Sequence, residues 1–264
     1  MIRALVGGRR GAAVLGGFLV AAAAAAAALP RFGIEAGTHV LLDERDPDLA
    51  YYNRSRVLWG YDEYAIVCAR KADWFTPESV RLLSELAAEL GRVPHVKSVT
   101  SILTVPLLRN RPSPFGLPVP VLLTDPKADL EAARRELLGH TQAAGNLISA
   151  DGRDVSLLAH LDIPESILAL DTQWADAQAR RDRARIAELE GPYRAALAEL
   201  RARREAMVRG LREVAAAWGP PRLDEPVRLS GIPIININLL EHEAADLKVF
   251  GAVSLALFTL AFAA

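Results

Sequence analysis

Glu241, His242, Glu243 and Asp246 crowd one short stretch, and they are the natural place to look for chemistry. His-Glu-Ala-Ala-Asp is close to the zinc-helix pattern His-Glu-x-x-His, but Asp246 stands where the second His belongs. On a helix His242 and Asp246 share a face at i, i+4. A catalytic zinc needs three protein ligands and a water, so a polar turn at a membrane interface is the better reading, with Lys248 marking its edge. Leu229-Ser230-Gly231 lacks the leading Gly-x of a nucleophile elbow. No Gly-x-x-x-x-Gly-Lys loop is present to cradle phosphate. The single cysteine, Cys68, excludes an internal disulfide and any multi-cysteine metal site. It sits in an apolar strand-like run and reads as a buried, inert thiol. These residue types point away from an enzyme, and no cofactor is expected.

Charge tells a similar story. The chain has 264 residues with 31 Lys+Arg against 32 Asp+Glu, so no global field recruits nucleic acid. Arg180, Arg181, Arg183 and Arg185 form a local run interleaved with acids. A solvated helix face explains them better than a nucleic-acid patch. The same face suits anionic lipid headgroups if the helix lies near a bilayer.

The apolar excess sits at the two ends. Residues 1–11 carry Arg3, Arg9 and Arg10 with no acid, and 12–29 are uncharged. A secretory signal and an uncleaved transmembrane helix over 12–32 both fit. A second apolar run after Lys248 favours the helix. The basic start then predicts a cytoplasmic N-terminus. Residues 249–264 are also uncharged, and the stretch 234–264 reads as an interfacial helix running into a second span that is cut short.

Between these ends the expected class is α+β. Tyr64–Ala69 reads as a strand. Thr76-Pro77-Glu78 opens a helix, with Val80, Leu83, Leu86 and Leu90 on one face and Gly91 at its end. Val96–Leu103 reads as a second strand, and a β-α-β run of this kind usually makes a parallel pair. Six prolines interrupt 104–126. A helix is expected over 126–138, then strands at 146–150 and 154–162 around an Asp151-Gly152 turn. That order, β-α-β-α-β-β over 33–163, suggests a ferredoxin-like (split βαβ) domain. Residues 164–221 read as a long helical insertion with heptad-like spacing from Ile186 to Trp218, broken at Gly191-Pro192. Packing on its own domain is preferred there to an inter-subunit coiled coil. Residues 222–233 read as a returning strand ended by Gly231 and Pro233.

The block Asp62–Ile102 and the segment Leu229-Ser230-Gly231-Ile232-Pro233, followed by Asn236 and Leu239, resemble the first quarter of a transporter of the resistance-nodulation-division superfamily. The closest likeness is to its MMPL-like lipid transporters and hopanoid exporters. The resemblance implies a bacterial inner-membrane, multi-pass, proton-driven exporter, with residues about 33–235 forming a periplasmic porter domain. It implies membrane lipid and a lipid-like or amphiphilic substrate as partners, together with the remainder of the transporter chain. A homo-oligomer or a periplasmic partner also fits. Tyr51, Tyr52, Trp59, Trp74 and Phe75 are the candidate cleft residues, with core packing as the preferred alternative. Gly231, Pro233, Asn236, Glu241, His242 and Asp246 mark the strand-to-span junction. This sequence departs from the family in its long 164–221 region, in its alanine-rich first span, and in having no ionisable residue within 12–29 or 249–264. Such residues mark intramembrane proton paths, so the energising site lies elsewhere. The rival reading is a membrane-anchored extracytoplasmic binding or scaffold module that uses 164–221 as a coiled-coil surface.

Overall fold

The computed structural model describes residues 63–110, 117 and 119–263, together with positions 16, 17, 20, 51, 52, 55 and 58. The chain divides into two units, Asp43–Ile237 and Met1–Leu42 with Asn238–Ala264.

The larger unit is α+β. Its elements are β1 (Tyr64–Arg70), α1 (Pro77–Gly91), β2 (Val96–Thr100), α2 (Leu130–Leu138), β3 (Asp154–Leu161), α3 (Glu165–Ala179), α4 (Arg183–Ala217) and β4 (Arg228–Ser230). A further helix, α5 (Ile232–Ala263), starts in this unit and ends in the other. The four strands form one sheet in the order β2-β3-β1-β4, with every adjacent pair antiparallel. β1 and β2 are therefore parallel, as the sequence suggested, but β3 lies between them.

Local sequence explains most elements. The Thr76 hydroxyl accepts from the Ser79 N–H, Pro77 occupies the first turn, and Val80, Leu83, Leu86 and Leu90 are buried. Gly91 is the last helical residue and Arg92 the cap. In β1 and β3 alternate side chains point into the core: Ala65, Val67 and Ala69 face the same way as Val155, Leu157, Ala159 and Leu161. Cys68 belongs to the other set and is half-buried, with its Sγ 3.6 Å from Ser156 Oγ. The alternation corrects the expectation of a buried thiol, because flanking Val67 and Ala69 take the inward positions.

Several boundaries move. β2 stops at Thr100, because the Ser101–Thr104 turn is closed by the Thr104 hydroxyl. α2 starts at Leu130, with Asp129 accepting from Glu131 N–H and Ala132 N–H. The strand expected at 146–150 is absent: Ile148 makes only isolated bridges to Ala144 and Val155. Gly145, at φ 81°, folds the segment into a turn instead. The fourth strand is β4, which lies beside β1. Residues 164–221 thus supply the connection from β3 to β4 and are not an insertion outside the sheet.

The helical hairpin in that connection breaks at Arg180–Asp182, not at Pro192, which lies inside α4. Arg181 takes φ 54°, and Asp182 caps α4 through the Arg185 N–H. Around Pro192 the two helices are held together. Trp174 stacks on Tyr193 with centroids 4.7 Å apart, and the Tyr193 hydroxyl bonds Asp171 at 2.7 Å. The apolar stripe of α4 packs into the chain's own core at Ala196, Leu200, Met207, Leu211 and, just past its end, Trp218.

Among the described residues no helix is long and apolar enough to cross a membrane. In α5 the uncharged part, 249–263, is shorter than the roughly 20 residues a span requires. The expected first span, 12–32, lies outside the described residues apart from Gly16, Gly17 and Val20.

Candidate functional site

Among the described residues the predicted cleft aromatics divide between core and surface. Trp74 is fully buried and its indole N–H donates to the Arg153 carbonyl at 2.8 Å. Phe75 is 7% exposed, with the Arg134 guanidinium 5.9 Å from its ring. Both are core residues rather than cleft linings. Tyr51 and Tyr52 are 71% and 51% exposed, and Trp59 lies outside the described residues.

Of the junction residues, Gly231 directly follows β4, and Pro233, Asn236, Glu241, His242 and Asp246 are spread along α5. This strand pairs with β1 through only three residues, Arg228, Leu229 and Ser230. At its far end the preceding loop is tied to β1 and β3 by charge and backbone contacts. Asp224 N–H donates to the Arg70 carbonyl at 3.0 Å, Arg70 lies 3.0 Å from Asp154 and 3.6 Å from Glu225, and Arg153 lies 3.8 Å from Asp224. Leu223 in that loop is buried. None of these ties was foreseen from sequence, because charged loop residues leave no periodic signal.

At its near end β4 meets Gly231, the only residue between strand and helix. Gly231 has φ 100°, and a Cβ there would lie 2.9 Å from the Tyr64 carbonyl oxygen and 3.2 Å from the Ile66 nitrogen. Ile232 opens α5, and the Gly231 carbonyl accepts from the Ile235 N–H at 3.0 Å. Pro233 is therefore a first-turn helical residue, not a strand end. Its missing N–H costs nothing there. Ile234 and Ile237 are buried, and Ile232, Ile235 and Leu239 are exposed. Asn236 is half-buried, while Glu241, His242 and Asp246 are exposed further along α5. Among the described residues no group of three His, Cys, Asp or Glu side chains could hold a metal.

The outer face of the sheet carries another cluster that sequence reading passed over. The Tyr64 and His160 rings lie 5.5 Å apart, and a His160 ring nitrogen is 3.1 Å from Thr100 Oγ1. The period-2 alternation of β1 and β3 would have placed Tyr64 and His160 on that face.

Asp151 sits among groups that favour its charged form. The Ser149 hydroxyl donates to Asp151 at 2.5 Å and the Arg153 N–H at 3.1 Å, and Arg70 and Arg153 add positive charge. Together they hold the Asp151 pKa below its ordinary value of 3.8. A depressed folded pKa contributes stability above the unfolded pKa and loses it as pH falls through the folded one. Carbon-detected NMR titration should therefore place the Asp151 midpoint below 3.8, and Ser149→Ala should raise it. An unchanged midpoint in that variant counts against the hydroxyl as the chief cause.

Compared with protein-family models, with curated proteins and with solved structures, the chain matches none. What the geometry offers is mechanical: a short strand, fixed at both ends, feeds a 32-residue helix through one glycine.

Proposed function

We propose that the chain is the first porter module of a multi-span, proton-driven exporter for lipid-like or amphiphilic substrates, of the resistance-nodulation-division type. In this reading residues about 33–235 stand on the periplasmic side of a bacterial inner membrane. The domain is a ferredoxin-like split βαβ fold, with β1/β2 and β3/β4 as its two parallel, non-adjacent pairs joined through helices. The apolar ends of the chain enter the bilayer, and the protons that drive transport cross other spans. The observation carrying the proposal is the junction. β4 and α5 are separated by a single tightly seated glycine, so displacement of the sheet is passed to the helix. A scaffold with a coiled-coil surface is less favoured, since the α4 stripe is buried in the chain's own core.

The test is transport itself. Inside-out vesicles carrying the intact protein should accumulate a fluorescent amphiphile under an imposed proton gradient and release it on adding a protonophore. Accumulation that ignores the gradient would overturn the proposal.

A further inference from the structure

The turn between α3 and α4 presents three arginines. Arg180, Arg181 and Arg183 are exposed, and among the described residues their side chains make no ion pair or hydrogen bond. Their neighbour Arg185 is occupied by Glu188 and Gln173. Of the nearby acids, Asp182 is engaged in capping α4 and Glu188 pairs with Arg185, leaving Asp176 one turn back. Arg181 adopts φ 54°, a backbone that arginine rarely takes. The turn therefore displays a dense set of cations, held at the end of a packed helical pair.

The position of that turn gives it meaning. β3 ends at Leu161 beside Glu63 and Tyr64, and α3 leaves the sheet there. α4 returns to the same end, where Arg204 forms a bidentate pair with Glu63 and Arg203 bonds Asp162 at 3.1 Å. From Arg203 back to Arg183 is 20 residues of helix, about 30 Å at 1.5 Å per residue. The hairpin thus overhangs the sheet at its Tyr64 end. Gly231 lies against the Tyr64 carbonyl, so α5 also begins at that end. Counted along α5, Lys248 comes 16 residues after Ile232, about 24 Å of helix, and the uncharged part follows.

We propose that the Arg180–Arg183 turn rests on a bilayer surface and binds anionic lipid headgroups. The proposal rests on the exporter reading, in which the uncharged part of α5 enters that bilayer. Exposed arginines beside a charged membrane surface contribute about 1 kcal/mol each. Removing all three is expected to weaken the contact on the order of 100-fold.

The test uses the whole chain in nanodiscs of phosphatidylglycerol or phosphatidylcholine, each doped with a headgroup-attached quencher. A fluorophore is placed at Ala184 through A184C in a C68S background. Strong quenching is expected in phosphatidylglycerol and weak quenching in phosphatidylcholine. Changing Arg180, Arg181 and Arg183 to Ser should abolish the difference, and changing all three to Lys should preserve it. Inorganic phosphate, compared with chloride at matched ionic strength, should not relieve the quenching. Equal quenching in both lipids, indifference to the triple Ser variant, or release by phosphate alone would each overturn the headgroup contact. An incorporated chain with an unquenched turn overturns this contact and leaves the exporter reading standing. A chain that enters neither nanodisc overturns both.

Discussion

Gly231→Ala is expected to lower the melting temperature of the chain by about 5–15 °C. Two costs combine. At φ 100° an alanine adopts a backbone that L side chains disfavour, a penalty of about 1–2 kcal/mol. Its methyl then meets backbone rather than side chain: the Tyr64 oxygen at 2.9 Å, the Ile66 nitrogen at 3.2 Å and Ala65 Cα at 3.3 Å. No rotamer change relieves that contact. Either β1 shifts or β4 detaches, and overpacking of this kind costs about 1–3 kcal/mol. Gly191→Ala is the control. Gly191 lies inside α4 with nothing within 4 Å of a new Cβ, so alanine there should stabilise by up to about 1 kcal/mol. Thermal unfolding followed by circular dichroism in detergent reads both variants. Equal melting temperatures for Gly231→Ala and the parent would mean that the glycine is not needed for the close approach.

How far the junction could be read from sequence depends on which contacts define it. Gly231 and Pro233 stand out as punctuation in any reading, but their roles differ from the expected ones. Proline at the second helical position is as compatible with a helix start as with a strand end, and only the pairing of Ser230 with Ile66 fixes where the strand stops. Elements governed by neighbours in sequence were legible: α1 follows from Thr76, Pro77 and its apolar spacing. Elements governed by distant partners were not. β4 is three residues long and owes its existence to β1, some 160 positions away, whereas Asn146–Ala150 has strand-like composition but no continuous partner. The hairpin break was misplaced for a related reason. Pro192 carries the stronger breaking signal, yet the Trp174–Tyr193 stack holds the helices together beside it. Arg181 makes the turn, and arginine carries no local preference for a positive φ that could have flagged it. The aromatics were ambiguous in the same way, since Trp74 and Phe75 suit a core as well as a cleft.

On the proposed exporter function, breaking the stiffness of α5 should reduce export without unfolding the domain, and the structure decides where to cut. An insertion after Pro233 would disrupt the first turn and unseat Ile234 and Ile237, which are 4% and 7% exposed. Lost transport there would report only lost folding. Insertion of Gly-Ser-Gly-Ser after Leu240 leaves that turn in place and falls before the uncharged run that begins at Val249. Glycine is a poor helix former, at about 1 kcal/mol per residue against alanine, and a broken helix must be nucleated again beyond the insert. If sheet motion reaches the membrane segment through α5, proton-driven accumulation in vesicles should fall on the order of tenfold, as when a conformational step limits turnover. Melting of the sheet domain should stay near the parent value. A four-alanine insert at the same point separates stiffness from length. It adds about 6 Å and rotates the helix by about 40°, but keeps it continuous. More export with the alanine insert than with the Gly-Ser insert identifies stiffness as the transmitted property. Equal loss in both makes register the controlling variable, and undiminished export with Gly-Ser removes α5 as the coupling element altogether.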